Sequence, residues 1–215
     1  ENKPLNAFTA HYHGKDGKKC ELKDREAVDA VIRDAQSRGI PCRLVGLTQD
    51  DCAELERLFP LLHKHLEKTD LQGTLLYRWP GSDPARRPIL LMGHQDVVPA
   101  TDDGWRVGAY SGEVIDGNVY GRGALDCKST MFVEMQAVEE LLAEGFTPPC
   151  DVYLEYSINE ETGGAGAANA MQYLKDKGIT LALVLDEGGA VVENVFPGVA
   201  GECAVVGIAE KGMTD

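Results

Sequence analysis

The sequence has no apolar run near the roughly 20 residues that a bilayer-spanning helix needs, so no membrane partner is expected. Basic residues are scarce: 21 Lys and Arg stand against 35 Asp and Glu, a formal net charge of −14. That deficit removes the electrostatic footprint of a nucleic-acid binder and disfavours an anionic membrane surface. No CxxC pair occurs, and the six cysteines (Cys20, Cys42, Cys52, Cys127, Cys150 and Cys203) are scattered without a disulfide framework. Free thiols in a reducing compartment, and hence a cytoplasmic location, are the expectation. The polar opening "ENKPLN" does not read as a signal peptide, although a leader could have been removed.

What is present suits one globular α/β domain or slightly more: 215 residues, 43% hydrophobic and 26% charged, long enough to bury a core. Residues 1–24 are polar and hard to read, with "HYHGKDGKK" taken as a solvated turn rather than a metal site. The apolar spacing of residues 25–37 predicts a helix stopped by Gly39, and "PCRLVGL" a short strand. Thr48 is placed to cap the helix "QDDCAELERLF", which Pro60 breaks before "LLHKHLEKT". "GTLLYRW" reads as a strand, and Asp116 with Gly117 mark a hairpin inside "GEVIDGNVYGRG". "STMFVEMQAVEELLAE" is an amphipathic helix closed by Gly145; "CDVYLEYSI" is a strand, "GAGAANAMQYLKDKG" a helix, "ITLALVLD" a buried strand and "CAVVGIAEKG" a last strand-like stretch. Alternating strands and helices predict a three-layer αβα domain around a mostly parallel central sheet.

The most informative stretch is "LLMGHQDVVPA". Ile89 to Met92 form an unbroken apolar run, the mark of a strand covered on both faces, and the run ends in His94 and Asp96. Side chains two apart on an extended chain share a side. In open α/β sheets, ligands bind beyond the carboxyl ends of the strands. A carboxylate there can accept one imidazole proton and leave the other nitrogen to a metal ion. Three further acidic sites fall in comparable places. Asp126 lies in the loop "GRGALDCKST", Glu160 and Glu161 follow the strand "VYLEYSI", and Asp186 follows "LALVL".

If those strands are parallel, the acids converge. Unit charges about 5 Å apart repel by roughly 3 kcal/mol per pair at an effective dielectric near 20. Such a group either takes up protons or surrounds a cation. One His with several carboxylates and no thiolate motif suits zinc, cobalt or manganese, and carboxylates can bridge two ions. Each residue alone has an ordinary explanation: Asp126 as a helix cap, Glu160 and Glu161 as a solvated pair, Asp186 as a turn cap. Four strand-tip residues plus Asp126 in one chain are harder to attribute to chance. Cys127 reads as a packing residue, and Asp102, Asp103, Asp116 and Glu187 as loop charges.

On "GHQDVVPA", "GRGALDCKST", "NEETGGAGA" and "LDEGG", the sequence resembles the dinuclear zinc metallopeptidase family of acetylornithine deacetylase, succinyl-diaminopimelate desuccinylase and carboxypeptidase G. The wording is most similar to the Gly-Xaa carboxypeptidase and N-acyl-amino-acid hydrolase branch, and the match runs from about residue 70 to the end. The resemblance implies two divalent ions, zinc first, with cobalt or manganese as alternatives. It implies that His94 and Asp186 bind one ion, Asp126 bridges both, Glu161 binds the second, Glu160 is the general base and Asp96 orients His94. It also implies a cis peptide between Asp126 and Cys127.

The implied activity is hydrolysis of an amide or peptide bond, acting on a peptide or N-acyl amino acid and releasing an amino acid with a free carboxylate. The chain is expected to be the amino-terminal part of a metallopeptidase catalytic domain, with residues 1–45 unassigned. A lid domain, a homodimer surface within it and a last metal-ligand histidine are expected beyond residue 215, so the chain alone is expected to have weak activity or none. Two other readings stay open: a two-zinc aminopeptidase that recognises a free amine, and an inactive homologue serving as a binding or oligomerisation module.

Overall fold

The computed structural model describes residues 10–13, 19–22, 37 and 49–208. The helix expected over residues 25–37, the strand at 41–47 and the Thr48 cap fall, Ser37 apart, outside the described residues. Two compact units divide the chain, 1–185 and 186–215.

In the first unit, β1 (Ala10–His13) and β2 (Lys19–Leu22) pair antiparallel, so part of the stretch read as a turn is strand. Two helices follow, α1 (Gln49–Leu58) and α2 (Pro60–His65). A five-stranded sheet then contains β3 (Glu67–Leu71), β4 (Thr74–Trp79), β5 (Ile89–His94), β8 (Val152–Ser157) and β9 (Leu183–Leu185), in the order β3-β4-β8-β5-β9. β8, β5 and β9 are mutually parallel, and β4 is antiparallel to both β3 and β8. Four of the five strands therefore run the same way.

Between β5 and β8 lie the hairpin β6 (Glu113–Ile115) and β7 (Asn118–Tyr120), then α3 (Lys128–Ala143). The hairpin turns at Asp116 and Gly117, both at positive φ (52° and 78°), the backbone that a tight two-residue turn between twisted strands demands. Between β8 and β9 comes α4 (Gly166–Asp176).

The core is layered as the alternation predicts. On one face of the sheet, Leu75, Tyr77, Leu154 and Tyr156 pack with Phe59 and Leu62 and with Met131, Met135 and Val138 of α3. On the other face, Leu76, Leu90 and Tyr153 pack with Leu174 of α4. Full burial of each such side chain contributes about 1.5–3 kcal/mol, so the central strands are held from both sides. The short α2 begins at Pro60 without a side-chain cap of its own. Glu139 of α3 supplies the acceptors instead, taking the Leu61 and Leu62 N–H groups at 3.0 and 2.7 Å.

Further elements differ from the sequence reading. The end of "LLHKHLEKT", read as helix, belongs instead to β3 from Glu67 on; Gln72 and Gly73 (φ 60° and 97°) turn it back into β4. "ITLALVLD", read as a buried strand, shortens to the three residues of β9, which are 53%, 46% and 54% exposed. β9 pairs only with β5 among the described residues, so one of its sides has no neighbouring strand to cover it. In the second unit, β10 (Ala190–Glu193) pairs antiparallel with β11 (Glu202–Val205); the sequence reading had only the latter.

Candidate metal centre

β5 and β8 end level with each other, with His94 opposite Ser157. The chain leaves β5 through Gln95 and Asp96, and His94, Gln95 and Asp96 are 1%, 2% and 1% exposed. Burying three polar side chains in succession requires partners for all of them. Gln95 Nε2 donates to the carbonyls of Gly73 (3.1 Å) and Tyr156 (2.7 Å), fastening the strand end to β8. Lys128 Nζ donates to the Gln95 carbonyl, which ties the start of α3 to the same point.

His94 is held at both ring nitrogens. Nδ1 lies 2.9 Å from the Asp96 carbonyl and 3.5 Å from Asp96 Oδ1. Nε2 lies 2.9 Å from Asp126 Oδ1 and 3.9 Å from Glu160 Oε2. Burial alone drives the imidazole pKa down, but the bond to Asp96 and contact with the Cys127 sulfur override it and push it up to about 11. The surroundings thus favour positive charge at the ring, in the form of a proton or a metal ion. Asp126 and Glu160 are more than half exposed, at 61% and 53%. The buried ring therefore presents its Nε2 beneath carboxylates that solvent and a substrate can reach.

Asp96 does more than face His94. Its Oδ1 and Oδ2 accept the N–H groups of Glu160 and Glu161, both at 3.1 Å. These are the first two residues of a single 3₁₀ turn, Glu160–Thr162, entered from Asn159 and closed by Gly163 at φ 61°. One buried carboxylate thereby touches the imidazole and holds the main chain that carries both glutamates.

Asp126 precedes α3, and its peptide bond to Cys127 is cis, as the resemblance implied. Cys127 Sγ accepts the His94 N–H at 3.0 Å and lies 3.6 Å from the His94 carbonyl. His94, Asp126 and Cys127 are the one group among the described residues whose possible ligand atoms all lie within 4.8 Å of one another. The sulfur is 1% exposed and engaged with the His94 main chain, which supports a packing role. The imidazole and carboxylate fit a divalent cation of the zinc type: one nitrogen and one oxygen already converge, with the ring fixed from behind.

Two sequence candidates remain, Glu161 and Asp186. Glu161 is not part of that close group; its Oε1 accepts the Val98 N–H at 3.3 Å. Asp186 opens the second unit, directly after Leu185, and its Oδ1 accepts the Glu187 N–H at 2.9 Å. The structure also reveals two residues that the sequence reading passed over, Gln95 and Asn159. Gln95 was legible as a polar residue locked between two others at the end of an apolar run. Asn159 was legible only through its glycines: a Cβ on Gly164 would sit 2.2 Å from Asn159 Cγ.

Residues 90–208 match the model of Peptidase family M20/M25/M40. The human N-fatty-acyl-amino acid synthase/hydrolase PM20D1 is 39% identical over 137 residues, covering 64% of this chain and 27% of its own length. Carboxypeptidase S of Saccharomyces cerevisiae is 40% identical over 175 residues, covering 74% of this chain and 29% of its own. The chain thus spans less than a third of the length of these two curated relatives. Among solved structures, human carnosine dipeptidase 1 matches with a TM-score of 0.52 at 23% identity, over 78% of this chain and 42% of that one, a likeness of fold.

Proposed function

The chain belongs to peptidase family M20/M25/M40, and on that premise we propose that it carries the metal-binding part of an enzyme that hydrolyses amide bonds. The substrate is a peptide or N-acyl amino acid, and one product is an amino acid with a free carboxylate. The similarity to a carboxypeptidase and to an N-fatty-acyl-amino acid hydrolase supports that choice. The observation that carries it is the meeting of His94 Nε2, Asp126 Oδ1 and Glu160 Oε2 at the end of β5, at 2.9 and 3.9 Å.

In this reading His94, Asp126, Glu161 and Asp186 hold two divalent ions, zinc before cobalt or manganese. Such ions, when bound, acidify a coordinated water and polarise the substrate carbonyl. Glu160 takes the proton from the attacking water and returns it to the departing amine. Asp96 fixes the imidazole from the Nδ1 side, so that Nε2 faces the cation. Homodimerisation through a lid domain is part of the same proposal for the protein in its full natural length.

The test uses the full-length protein loaded with zinc. Glu160→Gln is expected to lower kcat about 10²–10⁴-fold, the usual worth of a general base, while zinc binding persists. Near-normal turnover in that variant would remove Glu160 from the mechanism. Offering an N-acyl amino acid beside an amino-acid amide separates the two peptidase readings: hydrolysis of the amide alone would replace the carboxypeptidase assignment with an aminopeptidase. A full-length protein that binds zinc but hydrolyses neither would favour the inactive homologue.

A further inference from the structure

We infer that Asn159 is a positioning residue that sets the placement of Glu160. The inference rests on the reading of Glu160 as the base. The turn Glu160–Thr162 is short, and so exposed that none of its three residues is buried. One fastening of its main chain is the Asp96 carboxylate, which accepts the Glu160 and Glu161 N–H groups.

Another is Asn159. Its Oδ1 accepts the N–H of Gly166 at 2.9 Å, and Gly166 is the first residue of α4. A helix leaves its first N–H groups without intrahelical partners, and Ala165 at the N-cap position offers no side-chain acceptor. Asn159 fills that role from seven residues upstream. Its backbone carbonyl also accepts the Gly164 N–H at 2.8 Å and the Thr162 hydroxyl at 3.2 Å. Both halves of one residue therefore tie the start of the glutamate turn to its exit and to a helix that packs on the sheet.

The glycines around it confirm how closely the amide is seated. A Cβ on Gly164 would lie 2.2 Å from Asn159 Cγ and Nδ2, and one on Gly166 would lie 2.6 Å from Asn159 Oδ1. Neither fits without expelling the amide. "NEETGGAG" is thus one device: two glutamates, a left-handed exit at Gly163 (φ 61°), and two glycines that leave room for the asparagine. Because the amide bonds the main chain at Gly166, its loss displaces the turn that carries Glu160 and Glu161 and leaves the ligand pair His94 and Asp126 in place.

Three variants of the full-length, zinc-loaded protein test this. Asn159→Ala is expected to lower kcat about 10–100-fold, as a displacement near 1 Å does, with KM little changed. Asn159→Asp keeps an acceptor for Gly166, favoured by the positive end of α4, and is expected to recover most of the lost kcat. Gly164→Ala, which pushes the amide out, is expected to reproduce the alanine variant. Wild-type kcat in Asn159→Ala, or equal impairment in the alanine and aspartate variants, would overturn the inference. If Asn159→Ala does not fold, the remaining pair decides: an active Asn159→Asp beside an impaired Gly164→Ala supports it, and equal activities in the two overturn it. Glu160→Gln measured alongside separates the claims, since full activity there defeats the base assignment, whereas an inactive Glu160→Gln beside a fully active Asn159→Ala defeats only the positioning.

Discussion

A single buried carboxylate links the imidazole to the glutamate turn in the candidate site. Asp96 is 1% exposed, lies against His94 Nδ1 and receives the main-chain N–H groups of both glutamates. A side chain so buried needs hydrogen-bond partners, and the two main-chain N–H groups supply them. Asp96→Asn keeps the shape but offers one acceptor oxygen and an NH₂ group, which must face a donor. Loss of such a supporting carboxylate typically weakens metal binding about 10–100-fold, and that range is expected when zinc is titrated against a competing chelator. Unchanged affinity would mean that the ring needs no carboxylate behind it. Residue by residue, the sequence exposed the acids but not their bonds. Asp96 and Glu160 are 64 positions apart, and the link between them is invisible until β5 and β8 lie side by side.

Among the elements, those with strong periodicity were legible and those shaped by neighbours were not. α3 and β5 are read from their apolar spacing alone, because each buries a continuous face. β3 was not, since "EKTDL" sits at the edge of the sheet with little burial to impose alternation. α2 is another element that its own sequence does not explain, because Glu139 of α3 holds its first N–H groups. Glu139→Ala leaves those two donors without a charged acceptor and is expected to cost about 1.5–3 kcal/mol, read as a lower urea midpoint at unchanged m-value. A shift no larger than that of a surface substitution would show that solvent caps α2 equally well. β9 invites a different test. Its three apolar residues are about half exposed, and among the described residues they lie at a sheet edge, a template for unwanted pairing. Val184→Lys is expected to reduce self-association of this chain in sedimentation experiments; unchanged association would assign it to another surface.

For the molecule as a whole, the sequence made the αβα layering and the placing of His94 and Glu160 just past the ends of β5 and β8 legible, since both follow from where apolar runs stop. It left obscure the reversed direction of β4, because an apolar run carries no arrow. The net charge of −14 sets the background for a global prediction. If the His94 and Asp126 pair accepts a divalent ion, zinc at about 100 times its dissociation constant stabilises the fold by ~2.7 kcal/mol. Scanning calorimetry of this chain is then expected to show a higher Tm with zinc, reversed by a chelator; an unmoved Tm would leave the pair without a cation to bind. The Cys127 thiol is shut in behind the ring it supports, joined to the main chain of His94 on the neighbouring strand end. A thiol-labelling reagent reaches it only when α3 and β5 part there, so the labelling rate is a clock for the breathing of that seam, and anything that staples the seam shut slows the clock.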